Sequence, residues 1–211
     1  MTPTQASKKP AIVFDLGGVL LDWNPRHLFR KYFNGDEQQV EHFLTEICPQ
    51  EWNLKQDAGY SFTQAIAEQK LRFPQYAQPI QAYQDRWEET VAGEIEGSVA
   101  ILAELRDAGY PLYVLSNWAA ETFARVRGKY AFLDWFDELI ISAEVGLIKP
   151  DPAIFAYLLE RVGLPAEECL FIDDHATNTE AAEKLGFQTV LFSTPEDLER
   201  DLQDREILNV K

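Results

Sequence analysis

Three short apolar runs in the chain each end in polar residues of types that bind phosphate or metal ions. These polar residues are Asp15, Ser116, Asn117, Asp173 and Asp174. Carboxylates held close together repel one another, and a hard divalent cation such as Mg²⁺ relieves that repulsion by taking oxygen ligands. Ser116 and Asn117 can donate hydrogen bonds, and Lys149 can add a positive charge. Together these groups suit the holding of a phosphate group against a carboxylate nucleophile.

Asp15 follows the apolar run 12–14, which is typical of a buried strand. Gly17 and Gly18 come directly after it and allow a tight backbone path beside the strand end. Asp15 is therefore predicted at the carboxyl end of a strand, where open α/β sheets bind their ligands.

Further predicted strands at 112–115, 139–141, 169–172 and 189–192 alternate with helices of about ten residues. This alternation predicts an α/β fold with a parallel sheet, covered on both faces and joined by right-handed crossovers. The carboxyl ends of parallel strands share one edge of the sheet. We therefore expect the polar residues at the strand ends to converge there, with Lys149 in a loop at the same edge.

The segment from Pro25 to about Gly93 shows no strand pattern, and the spacing of its apolar residues predicts helices. Apolar residues recur at helical spacing from Val40 to Ile47, Ser61 is a candidate N-cap, and 78–91 continues the helical pattern. This segment is predicted to be a small helical unit inserted after the first strand.

The composition is that of a folded protein with an acidic surface. The 211 residues are 46% hydrophobic and carry a formal net charge of −16. This charge argues against nucleic acid or an anionic membrane as a partner. The negative net charge is compatible with a small anionic substrate, because one metal ion and one lysine can make the electrostatic potential at a binding site positive.

The N-terminal residues and the two cysteines support expectations about cellular location and about disulfides. Residues 1–10 are polar and read as a frayed tail, with no targeting or membrane-spanning segment visible. A cytoplasmic location is therefore expected. Cys48 and Cys169, far apart in sequence, indicate neither a disulfide framework nor a metal cluster of their own.

Four segments in order resemble the motifs of the haloacid dehalogenase superfamily. They are Phe-Asp-Leu-Gly-Gly-Val-Leu at 14–20, Leu-Ser-Asn at 115–117, Gly-Leu-Ile-Lys-Pro-Asp-Pro at 146–152 and Phe-Ile-Asp-Asp at 171–174. Within the superfamily the chain is similar to the glucose-1-phosphatase-like group of sugar phosphatases with a type 1 cap. The resemblance implies a Rossmann-like core at 11–22 and 94–211 with an α-helical cap at 23–93.

The same resemblance implies roles for the residues at the strand ends. Asp15 would be the nucleophile that becomes an aspartyl phosphate, and Lys149 would neutralise charge on nucleophile and phosphate. Ser116 and Asn117 would bind the phosphoryl group that is transferred. The implied cofactor is Mg²⁺, and its ligands would come from Asp15, the backbone carbonyl of Gly17, Asp173 and Asp174.

Gly17 departs from the pattern of most phosphatases of the superfamily. They carry an aspartate two residues after the nucleophile, which serves as general acid for the leaving group and as base for water. The glucose-1-phosphatase-like group resembles this chain in having glycine there. Asp22, His175 and a metal-bound water are open candidates for the missing proton donor, and an anomeric sugar oxygen would need such a donor less.

Three functions fit the sequence. The first is a Mg²⁺-dependent phosphatase of small phosphorylated metabolites, with sugar phosphates favoured by the resemblance. The second is a 2-haloacid dehalogenase, whose chemistry uses no metal, so that the adjacent Asp173 and Asp174 would be uncompensated. The third is a non-catalytic protein that binds a phosphate ligand and has lost turnover through Gly17. Three measurements distinguish these functions: phosphate release with and without Mg²⁺, halide release from 2-haloacids, and ligand binding without turnover. The sequence specifies neither the substrate nor the oligomeric state.

Overall fold

A five-stranded parallel sheet lies at the centre of the protein. The computed structural model describes residues 9–209, so the predicted tail falls outside the described residues except for residues 9 and 10. The order of the strands is β5-β4-β1-β6-β7, and each neighbouring pair is parallel. The strands are β1 (Ala11–Phe14), β4 (Leu112–Ser116), β5 (Glu138–Ile141), β6 (Cys169–Asp173) and β7 (Gln188–Leu191), with a separate antiparallel pair of β2 (Leu21–Trp23) and β3 (Val91–Glu94).

Helices cover both faces of this sheet, as the alternating pattern predicted. They are α1 (Arg26–Tyr32), α2 (Glu37–His42), α3 (Gln50–Asp57), α4 (Phe62–Arg72), α5 (Ala77–Asp85), α6 (Glu96–Asp107), α7 (Ala120–Val126), α8 (Ser142–Val145), α9 (Pro152–Val162), α10 (Ala176–Glu183) and α11 (Pro195–Asp204). A π-helical segment, Phe43–Ile47, continues α2. No helix within residues 9–209 is long and apolar enough to cross a membrane.

The sheet divides the apolar core into two clusters. Ile12 and Phe14 of β1 pack in one cluster, and Val13 packs in the other. All four residues of β1 are buried, because helices lie over both faces of the strand. Cys48 belongs to the first cluster and Cys169 to the second, and no disulfide joins them.

The insert between β2 and β3 is helical, which confirms the predicted fold class. Its centre holds an aromatic group in which the ring of Phe29 lies 4.4 Å from that of Phe43 and 5.2 Å from that of Tyr83. One detail of the prediction is wrong: residues 91–94 form β3 rather than the end of a helix or a loop. They pair with β2, and such long-range pairing overrides local helical preference. The exact division at residues 22 and 94 into core and cap remains our proposal.

Local capping signals in the sequence are satisfied as predicted. Asp151 accepts a hydrogen bond from the Ala153 N–H at the start of α9, with Pro152 in the first helical position. Ser61 caps α4 in the same way through the Gln64 N–H. Side-chain caps of this kind fix the residue at which a helix begins, and the signal for them is local in the sequence.

A carboxylate from α7 docks the insert onto the sheet domain. Glu121 accepts hydrogen bonds from the backbone N–H groups of Phe62 and Thr63, at 3.0 and 3.3 Å, and from the hydroxyls of Ser61 and Thr63. These donors lie at the N-terminus of α4, where the helix dipole favours a negative charge. Glu121 therefore joins the start of α4 to the sheet domain.

We expect Glu121→Ala to lower the free energy of unfolding by about 1 kcal/mol, because it removes the acceptor for exposed donors at a helix N-terminus. Chemical denaturation of parent and variant measures the difference. Glu160→Ala is the control, since Glu160 is an exposed glutamate on α9. Equal destabilisation by both changes would contradict the docking role of Glu121.

Candidate active site

The parallel sheet brings the strand-end residues together at one edge. β1 lies between β4 and β6, so that Asp15, Ser116 and Asp173 come from adjacent strands. A cavity of about 800 Å³ opens at this edge, and Asp15, Gly17, Ser116, Asn117, Lys149 and Asp174 are among its lining residues. Asp173 is fully buried beside Lys149.

Lys149 is the centre of the polar contacts at the floor of the cavity. Its ammonium nitrogen lies 3.1 Å from Oδ1 of Asp15 and 2.7 Å from Oδ2 of Asp173, and it donates to the Leu115 carbonyl at 2.8 Å. Only 2% of the residue is exposed. An ammonium has three hydrogens to donate, and three acceptors surround this one.

The pKa values of this group follow from burial and pairing. Burial lowers the pKa of Lys149, but the carboxylates of Asp15 and Asp173 outweigh burial and raise it, so that the ammonium stays charged. The pKa of Asp15 is raised to about 6, mainly by burial and also by the charge of Asp173, against the lowering effect of Lys149. The site therefore holds more negative charge than Lys149 alone balances.

Asn117 holds the backbone of Lys149 in place. Its Oδ1 accepts from the Lys149 N–H at 2.8 Å, and its Nδ2 donates to the Lys149 carbonyl at 2.9 Å. Ser116 hydrogen-bonds to the Asp15 carboxyl, which lowers the pKa of that group. Both side chains thus contact the charged residues of the site, and their predicted binding of phosphate stays a prediction.

Asp173 is engaged on both of its carboxylate oxygens. Oδ1 accepts from the His175 N–H at 2.8 Å, Oδ2 accepts from Lys149, and Nδ2 of Asn178 lies 3.0 Å from each oxygen. Sequence reasoning did not find Asn178, which lies on α10 five residues after Asp173. These contacts make Asp173 the partner of Lys149, while its predicted metal binding stays a prediction.

Asp174 and the two glycines form the other side of the cavity floor. Gly18 has φ of +77°, and a Cβ built there would lie 2.8 Å from Cγ of Asp174. Gly17 is different: its φ is outside the left-handed region, and a Cβ would meet nothing closer than Trp23 at 3.8 Å. Only Gly18, then, has to be glycine for Asp174 to approach the turn this closely.

The oxygen groups on this side fit a Mg²⁺ ion. Asp15, Asp174 and the Gly17 carbonyl all belong to residues that line the cavity, and within residues 9–209 no backbone N–H donates to that carbonyl. Asp173, Asp174 and His175 also bring possible ligand atoms within 4.8 Å of one another. Mg²⁺ prefers oxygen ligands to imidazole nitrogen, and both oxygens of Asp173 already have donors, so we favour the first set.

The candidates for the missing proton donor are placed differently. Asp22 is exposed on β2, where its carboxylate lies 2.9 Å from Nε2 of His27, and it is not among the residues that line the cavity. His175 does line the cavity, and a hydrogen bond to Asp174 raises its pKa. Asp57 of α3 also lines the cavity and was missed, because no local sequence signal marks it.

The fold and this site define an α/β protein with a helical insert and a lysine–carboxylate centre at the ends of its parallel strands. The family model for haloacid dehalogenase-like hydrolases matches residues 9–186. The chain belongs to this family of hydrolases.

Individual relatives differ in the reactions for which they are named. A stretch of 91 residues is 35% identical to Drimenol cyclase drtB of Aspergillus calidoustus; this is 43% of the chain and 17% of that longer protein. Sesquiterpene phosphatase astK of Aspergillus oryzae is 26% identical over 83% of the chain and 86% of its own length. (S)-2-haloacid dehalogenase 2 of Pseudomonas sp. is 27% identical over 84% of the chain and 80% of its own length.

The fold itself recurs in solved structures. A haloacid dehalogenase family enzyme from Bacteroides thetaiotaomicron, solved as a magnesium complex, superposes with a TM-score of 0.72 at 22% identity. The match covers 92% of this chain and 98% of that one. At this identity the likeness shows the fold alone.

The two glycines give a matched pair of substitutions. We expect Gly18→Ala to displace the Asp174 carboxyl and to cost about 1–3 kcal/mol of stability, because the methyl group overlaps Asp174 and φ is left-handed. Gly17→Ala should fold with nearly the stability of the parent. Thermal unfolding of both variants measures the contrast, and equal losses at the two positions would contradict the assigned geometry.

Proposed function

We propose that the protein is a Mg²⁺-dependent phosphatase that acts on small phosphorylated metabolites through an aspartyl phosphate on Asp15. The observation that carries the proposal is the pairing of Asp15 with the buried Lys149 in a cavity that Asp174 and Gly17 also line. The phosphatase relative from Aspergillus oryzae supports it, as does the Bacteroides enzyme, which has also been solved with magnesium and inorganic phosphate.

Asp15 is held in one orientation for attack on phosphorus. Its Oδ1 accepts from the Leu16 N–H at 2.7 Å and lies 3.1 Å from the ammonium nitrogen of Lys149, and these two contacts fix the orientation of the carboxylate. Lys149 also neutralises charge as the phosphoryl group approaches the carboxylate. Asp15, the Gly17 carbonyl and Asp174, with Asp173 behind them, would hold Mg²⁺. When bound, the ion supplies positive charge to phosphate oxygens.

The size and lining of the cavity support a small substrate. A volume of about 800 Å³ is within the range of sites that bind small molecules, and it admits a phosphorylated metabolite. Asn24 and Gln50 offer amides to hydroxyl groups, and the rings of Trp87 and Trp118, 5.6 Å apart, offer apolar surface. Sugar phosphates, as in the glucose-1-phosphatase-like group, are the finer part of our proposal.

Our proposal also covers the partners of the enzyme and its cellular location. The net charge of −16 supports a partner that is neither nucleic acid nor an anionic membrane. Two buried cysteines without a disulfide fit a reducing compartment, so we propose a cytoplasmic location.

Dehalogenation is the second candidate function, and two observations favour it. A relative named as a haloacid dehalogenase matches most of the chain, and Gly17 supplies no acid, which a departing halide does not need. The excess of carboxylate over ammonium in the site counts against it, because a reaction without metal leaves that charge uncompensated. Halide release from 2-haloacids in the absence of Mg²⁺ would establish dehalogenation.

Asp15→Asn tests the nucleophile. The change is nearly isosteric and an amide cannot be phosphorylated, so phosphate release from a panel of sugar and other small phosphate esters should fall to background while the fold persists. Circular dichroism checks the fold. A folded variant with activity within about threefold of the parent, far less than the loss expected of a missing nucleophile, would show that another group attacks phosphorus.

Asp174→Ala tests the metal site without an activity assay. Mg²⁺ at a hundred times its dissociation constant should stabilise the parent by about 2.7 kcal/mol, and the variant should lose most of this gain because a metal ligand is missing. Without metal, the variant should be at least as stable as the parent, since a repelling carboxylate has gone. An unchanged Mg²⁺ effect on thermal unfolding would place the metal elsewhere.

A further inference from the structure

Asp57 is a buried carboxyl group that the proposed reaction does not yet use. It is the last residue of α3, only 7% of it is exposed, and it lines the same cavity as Asp15 and Lys149. It comes from the helical insert and lies against the loops that follow two of the strands, close enough to Asp15 for the charge of Asp15 to act on it. A carboxyl group that lines this cavity is within the space available to a substrate whose phosphate binds at Asp15.

Contacts from both parts of the protein hold Asp57. Nδ2 of Asn53, one turn earlier on α3, donates to Oδ2 of Asp57 at 3.2 Å, and the Ala119 N–H of the sheet domain also donates to the carboxyl. The carbonyl of Asp57 accepts from the Ser142 hydroxyl at 2.6 Å, and that hydroxyl accepts from the Trp118 N–H at 2.9 Å. Asp57 is thus fixed against the strand-end loops rather than carried on a free surface.

The groups that face Asp57 favour its protonated form near neutral pH. The pKa of Asp57 is raised to about 7, mainly by burial and also by the charge of Asp15, against the lowering effect of the Ala119 N–H and of Asn53. Lys149 exerts a smaller lowering effect. Tyr83 of α5 lies close enough for the charge of Asp57 to raise its own pKa, and it is neutral at ordinary pH.

A purely structural role does not account for an aspartate here. A negative charge at the C-terminal end of a helix is unfavourable, and an asparagine would keep the hydrogen-bonding shape without the charge. Because burial raises the pKa of Asp57 from 3.8 to about 7, its contribution to stability is full below pH about 4 and is lost as the pH rises to about 7. An acidic group that costs stability at neutral pH points to a use for its proton.

We propose that Asp57 is the general acid and base of the reaction and replaces the carboxylate that Gly17 lacks. This inference rests on the proposed phosphatase function. As Asp15 attacks phosphorus, the bond from phosphorus to the leaving oxygen breaks, and the proton of Asp57 passes to that oxygen. Asp57, now a carboxylate, takes a proton from the water that attacks phosphorus next. The bond between phosphorus and Asp15 then breaks, inorganic phosphate leaves, and both aspartates return to their starting states.

Asp57→Asn tests this role with two phosphate esters. An alkyl phosphate has a leaving alcohol of high pKa and needs a proton, so its kcat/KM should fall by about 10²–10⁴-fold, the usual contribution of general acid catalysis. An aryl phosphate with an acidic phenol needs no proton, and its kcat/KM should fall by less than about fivefold. Glu46→Gln is the control, because Glu46 is an exposed carboxylate of the insert outside the cavity lining.

The pH dependence of the parent provides a second test that needs no variant. Asp57 donates only when protonated, so kcat/KM for the alkyl ester should decline as the pH rises above about 7. The aryl ester should show no such decline, and Asp57→Asn should abolish it for the alkyl ester.

The outcomes separate this inference from the proposed function. An active parent whose Asp57→Asn variant loses both esters equally, or neither, overturns the role of Asp57 alone. So does an alkyl-ester profile of the parent that stays flat from pH 6 to about 9, where Asp57 would lose its proton. A parent that releases phosphate from no ester overturns the phosphatase proposal, and the role of Asp57 with it.

Discussion

The ammonium of Lys149 between the carboxylates of Asp15 and Asp173 is the interaction on which the rest of the site depends. All three residues are buried, and charges taken out of water are tolerated only with close partners. Removal of one partner from such a group typically costs about 3–5 kcal/mol, because a charge is left unpaired. The pairing around Lys149 therefore affects the stability of the fold as well as the proposed reaction.

Neighbouring groups serve to keep this arrangement in one place. Asn117 binds the backbone of Lys149 on both sides, and Asn178 holds the carboxylate of Asp173. These contacts hold Asp15 in place indirectly, because they fix Lys149 and Asp173. A nucleophile whose surroundings are already ordered needs little rearrangement when phosphate arrives, which is the main way such sites lower a barrier.

The helical insert completes the site instead of merely covering it. Glu121 joins the sheet domain to α4, and Ser142 joins it to the end of α3 by a hydrogen bond to the carbonyl of Asp57. In the proposed mechanism the two aspartates come from different parts of the chain. Proton transfer then depends on the docking of the insert, so that reaction and enclosure of the substrate are coupled.

How far the sequence alone leads can be judged from particular residues. The convergence of Asp15, Ser116 and Asp173 was predictable. Apolar runs that alternate with helical segments indicate parallel strands, and the carboxyl ends of parallel strands share one edge of the sheet. The cap of α9 at Asp151 was predictable for local reasons. The hydrogen bonds between Asn117 and Lys149 join residues 32 positions apart in sequence, and β2 pairs with β3 across about 70 positions. Neither interaction therefore produces a local pattern in the sequence.

Asp57 shows the same limit most clearly. Its neighbours in sequence give it the appearance of an ordinary polar residue near the end of a helix. Its burial, and its place in the same cavity as Asp15, arise only when the insert folds back over the strand ends. The proposed acid–base group, which comes from the second part of the chain that builds the site, is thus the residue that sequence reasoning is least able to find.

The most direct measurement of the central claim is to trap the covalent intermediate. Parent enzyme with Mg²⁺ and an aryl phosphate would be quenched in acid within the first turnover, digested, and analysed by mass spectrometry. The account predicts that the peptide containing Asp15 gains the mass of one phosphoryl group, and that hydroxylamine removes it. Phosphate released in steady turnover with no modified Asp15 peptide at any quench time, or with the label on another residue, would contradict it.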